Sequence, residues 1–126
     1  MDYRLELVQV PVSDVDRAKD FYTRRAGFVL DHDQEVGGGL RFVQLTPPGS
    51  GASIAIGTGL TTMPPGSVEG LQLVVADIEA AHADLTGRGL DVGEVQDFPW
   101  GRFLFFADPD GNRWAVQQLV PSGGTD

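Results

Sequence analysis

Cysteine is absent from the 126-residue chain. That removes disulfides, thiolate metal ligands and a cysteine nucleophile, and it fits a reducing compartment. Positive charge is scarce too: nine Lys and Arg stand against 18 Asp and Glu, a formal net charge of −9. Phosphate backbones are bound by clustered cations, so nine scattered ones make nucleic acid an unsuitable partner. The negative surplus serves solubility and would also suit a cationic ligand. No apolar run approaches the roughly 20 residues that cross a bilayer. The opening MDYRLELVQV lacks the basic, apolar and small-residue series of a secretory signal. These absences point to a cytoplasmic protein with no membrane or nucleic-acid partner.

What is present is a repeat. VQVPVSDVDRAKDFY (Val8 to Tyr22) aligns with LQLVVADIEAAHADL (Leu71 to Leu85), superposing Gln9 on Gln72, Asp14 on Asp77 and Ala18 on Ala81. Each segment reads as an alternating strand, an acidic N-cap and a helix with apolar residues at helical spacing. The first helix is expected to bury Val15, Ala18, Phe21 and Tyr22 and stop near Gly27. The second is expected to bury Ile78, Ala81 and Leu85 and stop near Gly87 or Gly89. Three β-prone runs follow each helix: FVLDHDQE, LRFVQLT and ASIAIG, then LDVGEVQ, RFLFFA and NRWAVQQLV. GGG at 37–39, PPGSG at 47–51 and DPDGN at 108–112 mark turns. The predicted fold is α+β, one domain over residues 1–126 made of two tandem βαβββ modules whose curved mixed sheets enclose a cleft. Module one spans about 4–60, a linker 61–69, and module two about 70–120.

The VxVxDxxRAxxFY run at Val10 to Tyr22 and the PWGRFLFFADPDGN run at Pro99 to Asn112 resemble the vicinal oxygen chelate superfamily: glyoxalase I, extradiol dioxygenases, and fosfomycin and bleomycin resistance proteins. The likeness extends from Leu7 to Leu119, and its tail is most similar to bleomycin resistance proteins. It implies paired modules, a small-molecule cleft on the concave sheet faces and a homodimer. Metal-dependent relatives hold an ion with His, Gln or Glu at four strand positions, which correspond here to Gln9, Ala55, Gln72 and Ala115. Two alanines cannot ligate, and two neutral amides are weak donors. The resemblance therefore implies no metal at that position, and no cofactor. His82 reads as a helix surface residue. His32, within DHDQE (31–35), would need a β-bulge to share one face with its acidic neighbours.

Strand parity places Gln9, Ala55, Gln72, Val74, Arg113, Ala115 and Gln117 on the inward faces. Trp100, Phe103, Phe105 and Phe42 are candidate aromatic walls. Parity also groups Phe103 with Phe105 and Leu104 with Phe106, leaving open which pair lines the cleft. Trp114 is expected beneath a helix. Glu6, Glu94 and Asp97 are candidate mouth residues without expected partners.

The resulting expectation is a metal-independent protein that binds an aromatic or cationic natural product or antibiotic, as resistance proteins do, using Gln9, Phe42, Ala55, Gln72, Trp100, Phe103, Phe105, Arg113, Ala115 and Gln117. The alternative is an enzyme of the superfamily (lyase, isomerase, dioxygenase or thiol transferase) with an unusual or absent metal site. A vestigial cleft or one serving a protein partner is the third class.

Overall fold

Each half folds around an acidic cap, as the repeat requires. A computed structural model describes residues 1–119 of the chain. Strand β1 (Leu7–Gln9) leads to helix α1 (Val15–Asp20), where Asp14 Oδ1 accepts a hydrogen bond from the Arg17 amide. Strand β5 (Leu71–Val74) leads to α2 (Ile78–Gly87), where Asp77 Oδ1 accepts from the Glu79 and Ala80 amides. Helix α1 loosens into a π-helical turn, Phe21–Arg25, and ends before Gly27, whose φ of 77° only glycine adopts freely. Val15, Ala18, Tyr22, Ile78 and Leu85 are buried, while Phe21 and Ala81 are partly buried. Among the described residues, no helix is long and apolar enough to cross a membrane.

The remaining strands are β2 (Val29–Val36), β3 (Leu40–Thr46), β4 (Ser53–Thr58), β6 (Gln96–Phe98), β7 (Gly101–Ala107) and β8 (Arg113–Leu119). They form two open four-stranded mixed sheets, ordered β1-β4-β3-β2 and β5-β8-β7-β6. The parallel pairs β1/β4 and β5/β8 repeat the same register, setting Gln9 beside Ala55 and Gln72 beside Ala115. One expectation needs correction. LDVGEVQ is not a strand; only its last residue joins β6, and β6 continues to Phe98. Leu90, Val92 and Val95 instead turn into or against the core. Val120, the last residue of the final predicted strand, lies outside the described residues.

The halves meet on their helix sides and share one apolar core. Tyr22 packs against Phe28 and Trp114, and Phe21 against Phe106. DPDGN does more than turn the chain. Asp108 Oδ1 accepts from the Asp110, Gly111 and Asn112 amides, and its Oδ2 accepts from Asn112 Nδ2 and Tyr22 Oη, both at 2.8 Å. Trp114 Nε1 donates to Tyr22 Oη at 2.9 Å, and Asn112 Nδ2 also donates to the Pro11 carbonyl at 2.8 Å. Each buried polar atom in this lock has a partner, as burial demands. Burial, reinforced by the neighbouring Asp108 carboxylate, raises the Tyr22 phenol far above its ordinary value.

Candidate functional site

The faces turned away from the shared core carry the candidate residues. In sheet two, β7 and β8 pair Phe103 with Gln117 and Phe105 with Ala115, whereas Leu104 and Phe106 face the core with Val116 and Trp114. This settles the parity left open by sequence: Phe103 and Phe105 line the outer face. Trp114 lies beneath, as expected.

Phe98 extends the aromatic row. The β6/β7 hairpin pairs Phe98 with Gly101, so Pro99 and Trp100 form its two-residue tip. The Phe98 ring stacks on Trp100 at 5.3 Å and meets the edge of Phe103 at 5.5 Å, while Phe103 and Phe105 lie parallel at 5.8 Å. Four rings thus form a continuous strip. Phe103 is buried, but Phe105 is 43% and Trp100 63% exposed, so the strip offers ring faces to solvent.

A glutamine relay fixes the strip from below. Gln72 Nε2 donates to Gln117 Oε1, and Gln117 Nε2 donates to the Trp100 carbonyl at 3.2 Å. Gly101 makes this possible, because a Cβ there would lie 2.7 Å from Gln117 Nε2 and 2.9 Å from the Gln118 carbonyl. The Pro-Trp-Gly sequence is thereby accounted for: two residues turn the chain and the third leaves space for the amide that holds the turn.

These groups surround an open pocket of about 430 Å³ containing Gln72, Phe98, Trp100, Phe103, Phe105, Arg113 and Ala115. At its far end Arg113 Nη2 pairs with Glu69 Oε1 at 2.6 Å. A larger hollow of about 630 Å³ lies along β5 toward α2 and the 47–50 turn. Its charged groups are already engaged, Asp77 as the helix cap and Asp84 with Arg88 at 3.2 Å. Of the residues that parity placed inward, Gln72 and Val74 reach it. The smaller pocket, with its exposed rings, the glutamine amides and a guanidinium held only by an exposed carboxylate, is the better candidate.

Gln9, Phe42 and Ala55 lie outside this pocket, on the matching face of sheet one. Gln9 and Gln44 flank Ala55, and Phe42 pairs with Gly57. This face is polar: Gln44 Nε2 donates to Ser53 Oγ at 3.3 Å, and Ser53 Oγ meets Thr46 Oγ1 at 2.6 Å. The bulge that DHDQE required is present between Leu30 and His32. It places His32 opposite Gln44 and lets Asp31 accept from Thr46 Oγ1. Asp33 instead pairs with Arg41 and Lys19, at 2.9 and 2.7 Å, and these cations hold its carboxyl far below the ordinary carboxylate range, Arg41 contributing most. Asp97, expected to lack a partner, pairs with Arg102 at 2.8 Å.

The four positions that hold an ion in metal-dependent relatives do not fit one here. Ala55 and Ala115 present methyl groups beside Gln9 and Gln72, and Gln72 already donates to Gln117. Among the described residues, no group of three or more His, Asp or Glu is gathered around a common point.

Residues 4–116 match the model of the Glyoxalase/Bleomycin resistance protein/Dioxygenase superfamily. The chain belongs to this superfamily. Within it, TnmS3, an antibiotic binding protein from Streptomyces sp. CB03234, is 41% identical, with a TM-score of 0.84 over 94% of this chain and 98% of that one. A glyoxalase/bleomycin resistance protein from the same organism is 43% identical, with a TM-score of 0.79 over 91% of this chain and all of that one. The uncharacterized protein YetH of Bacillus subtilis (strain 168) is 28% identical, covering 88% of this chain and 94% of its own length. Superfamily membership accounts for both motifs on which the sequence resemblance rested. Among the pocket residues that the sequence candidates lacked, Phe98 and Glu69 bring an aromatic ring and a charge. Reading Pro99-Trp100 as a two-residue hairpin tip would have placed Phe98 across from Gly101; Glu69, in a linker, gives no comparable signal.

Proposed function

We propose that this chain is a metal-independent, cytoplasmic binding protein of the antibiotic-resistance type, one that sequesters a partly aromatic natural product and returns it unchanged. The observation that carries this reading is the continuous row of Phe105, Phe103, Phe98 and Trp100, all but Phe103 open to solvent, with the Gln72–Gln117 relay tying down its hairpin tip at the Trp100 carbonyl. Ring faces fixed in advance can stack on a flat ligand without further ordering cost, and a few amides orient it, which is the usual make-up of a small-molecule site. The description of TnmS3 as an antibiotic binding protein, at 41% identity, supports the same reading.

Two further elements belong to the proposal. The protein acts as a homodimer, because each sheet leaves its outer face open and a second copy supplies the wall that one chain lacks. Gln9, Phe42 and Ala55 then approach the ligand from the facing sheet, while Gln72, Trp100, Phe103, Phe105, Arg113, Ala115 and Gln117 form the near wall.

Calorimetric titration of metal-analysed protein with polycyclic aromatic natural products tests the reading. The expected result is tight binding that survives chelator treatment, with the compound recovered intact. Stoichiometric Zn²⁺, Mn²⁺, Ni²⁺ or Fe²⁺ that supports turnover of a lyase, dioxygenase or thiol-transfer substrate would establish the enzymatic alternative instead.

A further inference from the structure

The pocket has two chemically different ends. Along β8, Arg113 and Leu119 are six residues apart, about 20 Å at the ordinary strand rise. Arg113 and Glu69 stand at one end, the Gln72–Gln117 amides near the middle, and Phe98 with Trp100 at the other. A ligand filling this trough is elongated, with its flat aromatic part over the rings and a polar group at the guanidinium.

We propose that Arg113 is the anchor for an anionic oxygen group on that ligand, a carboxylate or phenolate, and that Glu69 is a built-in competitor which occupies the anchor until the ligand displaces it. This rests on the aromatic-site reading above and adds the charge of the ligand's far end. Three observations carry it. Arg113 Nη2 meets Glu69 Oε1 at 2.6 Å, so the guanidinium is already aimed at a carboxylate within the pocket. Both side chains are about two-thirds exposed, 64% and 69%. An exposed pair of this kind is worth at most about fivefold in an equilibrium constant, so Glu69 is displaced at small cost. Glu69 also lies outside any strand, beside Gly70, and the Arg113 backbone N–H donates to the Val68 carbonyl at 2.9 Å, so the two backbones are held together while the exposed carboxylate side chain is free to turn toward solvent. A planar guanidinium takes an incoming carboxylate through two parallel hydrogen bonds. The net charge of −9 opposes anions only at long range, and at physiological salt that field fades over about 8 Å.

The test compares three probes of one ring system: anthracene-2-carboxylate, its neutral methyl ester and anthracen-2-ylmethylammonium. Each is titrated calorimetrically into the wild type, Glu69→Gln and Arg113→Gln. The expected order in the wild type is carboxylate, ester, ammonium. Glu69→Gln is expected to tighten carboxylate binding about two- to fivefold and leave the ester unchanged. Arg113→Gln is expected to erase the preference for the carboxylate, weakening the carboxylate about fivefold more than the ester. If all three probes bind and the ammonium binds best, or if Glu69→Gln leaves the carboxylate-to-ester ratio unaltered, the anchor assignment is wrong and the aromatic site stands. If none of the three binds, the aromatic-site reading fails and takes this proposal with it.

Discussion

Removing one hydroxyl, by Tyr22→Phe, tests the join between the two halves. The phenol makes two buried hydrogen bonds, donating to Asp108 Oδ2 at 2.8 Å and accepting from Trp114 Nε1 at 2.9 Å. A bond to a charged acceptor contributes about 1.5–3 kcal/mol, and an indole N–H left buried without a partner costs about 1–3 kcal/mol. Asp108 Oδ2 keeps its bond from Asn112 Nδ2, and phenylalanine has no hydroxyl to desolvate, so both effects fall short of their full sum. The expected loss is about 3 kcal/mol. With an unfolding entropy of about 0.26 kcal/mol/K for a chain of this length, the melting temperature should drop by about 10 °C. Urea unfolding at pH 7, at fixed protein concentration and followed by tryptophan fluorescence, measures the difference. In a Trp114→Phe background no donor is orphaned, so the same substitution should cost about 1 kcal/mol less. The alkaline limb offers a second readout. The folded phenol's affinity for its proton is raised above the unfolded value near 10, so the unfolded chain alone ionises as pH rises past about 10. Stability present below that pH is then lost, and Tyr22→Phe should remove this part of the loss. A cost below about 1 kcal/mol with an unchanged m-value would refute the account of the lock.

Two further outcomes are expected. Trp100→Ala removes a ring that is 63% exposed and, among the described residues, stacked on Phe98 alone, so aromatic ligand affinity should fall about tenfold while urea stability changes by less than about 1 kcal/mol; unchanged affinity in titration would take the hairpin tip out of the site. Asp33→Asn should flatten the acid limb of stability: Arg41 and Lys19 depress the Asp33 carboxyl, so its contribution is present above the unfolded value near 4 and drains away below it. Urea midpoints at pH 7 and pH 3 measure this, and an equal acid loss in both proteins would contradict it.

The fold was legible because both copies of the repeat state it with the same devices. Asp14 and Asp77 cap, the valines and isoleucines alternate, and the glycines and prolines separate strands. Where the copies diverge, pattern failed. LDVGEVQ alternates like a strand, but its apolar residues are taken into the core, leaving only three residues to pair with β7. Half of the site was readable for the same reason. Parity alone put Gln72, Ala115 and Gln117 on one face, and the structure joins them to Phe103 and Phe105. What parity cannot supply is the choice between two equally apolar faces. At Phe103–Phe106 both faces are aromatic or aliphatic, and the helix that covers one of them is distant in sequence. The β2 bulge and the Glu69–Arg113 pair were unreadable on similar grounds, since each depends on a partner from another element.

Alternate residues of β8 do opposite jobs. Trp114 and Val116 fasten the halves together from one side, while Arg113, Ala115 and Gln117 meet whatever lies on the other. Substitution on the outward series therefore leaves the inward series untouched. A lineage can alter what this face meets by drifting at every second position, without first having to reinvent the scaffold. The arrangement also gives a practical rule for retargeting the protein: diversify Phe103, Phe105, Arg113 and Ala115, and keep Gly101, Gln117 and the core-facing Leu104, Phe106, Trp114 and Val116.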